Sequence, residues 1–150
     1  MIHFEGDKSF PLPVEEVASK LSNVEFLVSC LPDVQISQIA PDRAAWKVKP
    51  KLAFLSGNLN VEMHTTARDA GKSVAYQVVA KAIGASSTVA VALAFTATES
   101  GGTAVHWTGD VTQVTGLLKM VPSGLLQGSA HKVIEEVWTA VTAKLGHSSK

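Results

Sequence analysis

The chain has 150 residues, 46% of them hydrophobic, and thirteen basic against thirteen acidic side chains give a formal net charge of zero. That content suffices for the core of one domain spanning 1–150 and excludes disorder, and with no net field nucleic acid is not an expected partner. The single cysteine, Cys30, excludes an internal disulfide, and without a charged-then-apolar leader the chain reads as cytoplasmic.

In chain order, Ile2, Phe4 and Phe10 alternate with His3, Glu5 and Ser9, which predicts a first strand. Pro13 followed by Glu15 and Glu16 predicts the start of a short helix ending at Leu21. Asn23 caps a second short helix through Cys30, which Leu31-Pro32 stops. From Val34 the period becomes alternating, and turn signals divide the stretch into six strands at 34–39, 44–49, 58–68, 73–83, 86–99 and 103–115. After Pro122 the apolar residues Leu126, Ala130, Val133, Ile134, Val137, Trp138, Val141 and Leu145 recur at helical steps. A helix of that length covers about 30 Å and needs a sheet to cover its apolar face. Hairpin-length connections make the sheet antiparallel. The expected architecture is α+β, a curved seven-stranded antiparallel sheet wrapped around a long C-terminal helix, with two short helices after strand 1. No stretch reaches the roughly 20 apolar residues of a membrane span.

Particular residues carry a family resemblance: Phe4-Glu5-Gly6, the helix from Val14 to Leu21, the Cys30-Leu31-Pro32 corner, the strand from Gly102-Thr103 to Trp107, and Gly116-Leu117-Leu118. Together they resemble the small G subunit of carbon monoxide dehydrogenase, within the helix-grip superfamily of START lipid carriers, birch-pollen-allergen-like proteins and polyketide cyclases. The chain departs from the family pattern at Asp33, where glycine is usual, and lacks the proline-rich apolar C-terminal extension of many members. The resemblance implies a helix-grip fold with a cavity between sheet and helix for an apolar small molecule, lipid-like or quinone-like. It also implies a role beside a molybdenum-containing dehydrogenase, in assembly, membrane recruitment or electron-carrier delivery.

Strand parity and helix phase select the residues that would face such a cavity: Trp46, Val48, Met63, Tyr76, Val78, Val91, Leu93, Phe95, Val105 and Trp107 from the sheet, with Leu126, Ala130, Ile134 and Trp138 from the helix. Small residues suggest an underfilled interior, namely Ala80, Ala82, Gly84, Ala85, Ala90, Ala92 and Ala94 in the strands and Gly124, Gly128 and Ser129 in the helix. Tyr76 and the indole nitrogen of Trp46 or Trp107 are the available directing polar groups. Two apolar runs, with Phe54 and Leu55 in one and Leu117, Leu118, Met120 and Val121 in the other, fall in connections and form the expected cavity mouth, where a peripheral contact with a membrane is expected. Lys47, Lys49 and Lys51 share one strand parity, read as a solvated face or a patch for anionic lipid.

Catalytic constellations are not visible. The five histidines have no zinc-type spacing, His131 and Glu135 read as a surface pair, Cys30 reads as packing, and Glu62 and Glu99 read as exposed. No GxSxG elbow occurs, so no catalytic residue, metal or cofactor is expected. Three readings follow: non-catalytic binding of a hydrophobic molecule, a cyclase or hydrolase of the same superfamily, or an interaction subunit with a filled core.

Overall fold

The computed structural model describes residues 2–31, 34–49, 58–82 and 84–148. Strand β1 (Ile2–Phe10) leads into helices α1 (Val14–Leu21) and α2 (Val24–Ser29), then strands β2 (Gln35–Ala40), β3 (Arg43–Val48), β4 (Leu59–Asp69), β5 (Ser73–Ala82), β6 (Ala85–Ala97) and β7 (Thr103–Gly116). A single 3-10 turn, Leu117–Met120, precedes helix α3 (Ser123–Ser148). The seven strands form one sheet in the order β1-β7-β6-β5-β4-β3-β2, with every neighbouring pair antiparallel. This is the expected helix-grip architecture. No helix among the described residues is long and apolar enough to cross a membrane.

Local chemistry accounts for the element ends. Pro13 caps α1 rather than opening it, and Glu15 and Glu16 then meet the positive end of the helix dipole while Lys20 meets the negative end. Asn23 caps α2 through its side-chain oxygen, which accepts from the Glu25 N–H at 2.9 Å. At the end of β7, Gly116 holds φ +65°, and a Cβ there would lie 1.9 Å from the Gly84 carbonyl oxygen, so no other residue fits.

Burial is graded along the strands. At one end, Val17, Leu21, Val24, Val28, Val74, Val105, Val141 and Leu145 are each no more than 2% exposed. They bring α1, α2, the starts of β5 and β7 and the last turns of α3 into one closed core. Lys144 reinforces that end by donating to the Ser29 carbonyl oxygen and hydroxyl at 3.2 and 3.0 Å. At the other end, Val48, Leu59, Met63, Val78, Ala80, Val89, Val91 and Val114 face inward yet are only half-buried, as are Ala130, Ile134 and Val137 on α3. Helices seal the first end, whereas at the second these half-buried side chains lie among the buried Trp46, Val61, Ala85 and Val111.

Candidate functional site

Between the two ends, the inward residues of adjacent strands form continuous rows. One row runs from Phe4 through Gly109 and Val91 to Tyr76 and Thr65, and the next from Ile2 through Val111, Val89, Val78 and Met63 to Ala44. Gly109 is the distinctive member. It is buried, it occupies an inward position between Trp107 and Val111, and a Cβ built on it would meet no other heavy atom within 4 Å. Interiors are normally packed to crystal-like density, so open space beside a buried residue is a local underfilling of the core.

The residues expected to face inward divide into two groups. Leu93, Phe95, Val105, Trp107 and Trp138 are buried in the packed floor, where Trp138 lies between Phe10 and Trp107 with ring centroids 6.4 and 6.1 Å away. Trp46 and Tyr76 are buried as well. Val48, Met63, Val78, Val91, Leu126, Ala130 and Ile134 are half-buried. The Trp107 ring lies across β1, because a Cβ on Gly6 would come 2.9 Å from its Nε1. That buried N–H has no hydrogen-bond partner among the described residues.

Tyr76 has a structural duty. Its hydroxyl donates to the Leu21 carbonyl oxygen at 2.5 Å, and Arg68 donates to the Ser22 carbonyl oxygen at 3.2 Å, so β4 and β5 together hold the C-terminal end of α1. Burial pushes the phenol well above its ordinary range, with the Arg68 charge opposing the shift. Tyr76→Phe is expected to leave a buried carbonyl unsatisfied and to cost about 1–3 kcal/mol in urea denaturation. An unchanged midpoint would show that the bond contributes nothing.

Several small residues lie elsewhere than expected. Ala90, Ala92 and Ala94 point outward and are exposed, because β6 buries the opposite parity through Leu93 and Phe95. Gly124 and Gly128 are exposed on α3, so neither thins the face that meets the sheet. The underfilling comes instead from Gly109, whose only signal in the sequence is a lone glycine on the inward parity of a long strand.

Of the expected mouth, Phe54 and Leu55 lie outside the described residues, as does Lys51. The described residues resume in time for Leu59 of β4 to pair with Val48 of β3 at the less sealed end. Leu117 and Leu118 fall in the 3-10 turn at that same end, followed by Met120 at 82% exposure and a half-buried Val121. Leu125 is also exposed. A depression of ≈ 130 Å³ lined by Gln38, Arg43, Ala44, Ala45, Glu62, Met63 and His64 adds no apolar enclosure.

Away from this region, His131 and Glu135 pair at 3.8 Å on the surface of α3. The half-buried Cys30 thiol donates to the Phe26 carbonyl oxygen at 3.3 Å, and burial raises its pKa against the nearby Lys144 charge. Lys47, Lys49, Glu62 and Glu99 are exposed.

Comparison with known proteins agrees with this fold. No curated protein matches the chain in sequence. Among solved structures, a conserved protein from Geobacillus kaustophilus shares 18% identity and a TM-score of 0.84, over 98% of this chain and 97% of its own. A START superfamily protein from Mycobacterium smegmatis shares 10% identity and a TM-score of 0.69, over 97% of each chain. The Zhui aromatase/cyclase from Streptomyces sp. R1128 shares 12% identity and a TM-score of 0.67, over 99% of this chain and 96% of its own. At such identities the likeness establishes the fold and leaves the chemistry to the individual site. The family model for CoxG, the G subunit of carbon monoxide dehydrogenase, matches residues 6–146, and the chain belongs to that family.

Proposed function

We propose that the protein binds a hydrophobic small molecule, lipid-like or quinone-like, in the space between the concave sheet and the N-terminal half of α3, and that it does so without catalysis. The open space beside the buried Gly109 carries this reading. Support comes from the half-buried apolar rows around it, since inward valines and isoleucines that remain wet forgo transfer free energy of about 25 cal/mol per Å² that an apolar occupant would recover. The occupant lies along Val78, Val89, Val91 and Val111 with Ala130 and Ile134 above it, and enters past the 3-10 turn and the exposed Met120. The same exposed apolar end meets a bilayer during transfer, as a peripheral contact on the cytoplasmic side. Family membership supports a place beside a carbon monoxide dehydrogenase-type molybdenum enzyme, in its assembly, its membrane recruitment or delivery of its electron carrier.

Intrinsic fluorescence tests the reading, because Trp46, Trp107 and Trp138 are all buried on the inward side. A dibrominated fatty acid is expected to quench saturably near one equivalent, while the unbrominated acid does not. Quenching that rises linearly without saturation would remove a defined site.

A further inference from the structure

The outer face of β1 and β7 carries a ladder of ionisable side chains that ligand binding does not use. His3 bonds through Nδ1 to Asp110 Oδ1, and its Nε2 lies 3.7 Å from Glu5 Oε2. The same Glu5 oxygen lies 3.6 Å from His106 Nε2, and His106 Nδ1 lies 2.9 Å from Asp7 Oδ1. The order across the face is therefore Asp110, His3, Glu5, His106, Asp7. Three residues come from β1, and His106 and Asp110 come from β7. On the far side of β7, strand β6 sets only Ala94, Ala92 and Ala90 opposite His106, Thr108 and Asp110, so no further charge faces the ladder from there. Lys8 points to the inner face, where it lies 3.9 Å from Glu135. Among the described residues no three His, Cys, Asp or Glu side chains are placed to hold a metal ion.

We propose that these side chains form a proton-keyed clamp on the edge strand β1, closed when His3 is protonated between Asp110 and Glu5 and loosened when it is neutral. With the His3 imidazole charged, it stands between two carboxylates and links β1 to Asp110 of β7. With His3 neutral, Asp110 and Glu5 lose the positive charge between them. β1 is the strand that this would release. It sits at the sheet edge with β7 as its only strand partner among the described residues, and its inner face packs against α3, Lys8 lying 6.0 Å from the Trp138 ring centroid.

The direction of the effect follows from His3. Its pKa is raised, first by the hydrogen bond to Asp110 and then, against some desolvation, by the charges of Asp110 and Glu5. A raised folded-state pKa means that the contribution is fully present below the ordinary histidine value and is lost as pH rises through the folded one. The members are between 48% and 79% exposed, so the clamp controls local opening of β1 and not global unfolding.

Amide hydrogen exchange across Phe4–Lys8, corrected for intrinsic exchange rates, tests the clamp between about pH 5.5 and about pH 8, a window that spans the ordinary histidine range. Protection of β1 in the wild type is expected to fall roughly two- to fivefold over that range while β4 and β5 stay constant. His3→Gln should flatten the profile, and Glu5→Gln, which keeps His3, should reduce its slope. A wild-type profile without slope, or an equal slope in His3→Gln, would overturn the proposal.

Discussion

Gly109→Leu is expected to yield a protein that folds as well as the wild type or better and that no longer takes up an apolar ligand. A leucine side chain would enter space in which the glycine's absent Cβ meets nothing within 4 Å. Burying it contributes about 1.5–3 kcal/mol, whereas forcing the same atoms into a filled core costs about 1–3 kcal/mol. The sign of the stability change therefore reports whether the space exists. Affinity for an acyl or isoprenoid probe should fall at least about tenfold, or about 1.4 kcal/mol, because the substituent and the ligand compete for one volume. A clear loss of thermal stability would mean that the interior above Gly109 is already full.

The second large effect is on the grip itself. Trp138→Ala is expected to cost about 3–5 kcal/mol, since it removes the ring that joins α3 to Phe10 and Trp107 at the sealed end. Ile134→Ala, one turn earlier on the same face, removes a half-buried side chain and should cost well under half as much. Guanidinium denaturation of the two variants in parallel measures the burial gradient directly. Equal losses would show that α3 is packed uniformly along its length, which would leave no room beneath its first half.

Much of this fold is a local property and is legible in the sequence for that reason. Alternation in β5, β6 and β7 selects Tyr76, Val78, Val91, Leu93, Phe95, Val105 and Trp107 as inward, because a period of two needs no knowledge of the partner strand. The same rule excludes Ala90, Ala92 and Ala94 from the interior, so they leave no volume there to fill. The site is less legible because a void is defined by what fails to lie opposite a residue. Gly109 can be placed on the inward parity, but only the tertiary arrangement shows nothing above it. Tyr76 reads as a polar handle for a ligand until its hydroxyl meets Leu21, 55 residues away in the chain. The outer ladder depends on His3 and Asp110, 107 residues apart, and no sequence pattern announces that pairing.

Cation–π and ion-pair contacts from Lys8 to Trp138 and Glu135 add little energy at these exposures, but they fix where β1 meets α3. They place the proton-keyed strand against one wall of the proposed binding space. Ligand exchange and the state of the ladder can thus be varied separately, since the ladder lies on the outer face and Gly109 on the inner.

Whether the space beside Gly109 holds a ligand is decided by native mass spectrometry of wild type and Gly109→Leu mixed in one solution with a single acyl or isoprenoid probe. One bound probe is expected on the wild type and none on the variant at equal concentration. Equal occupancy of both proteins, or none on either, would contradict binding in that space.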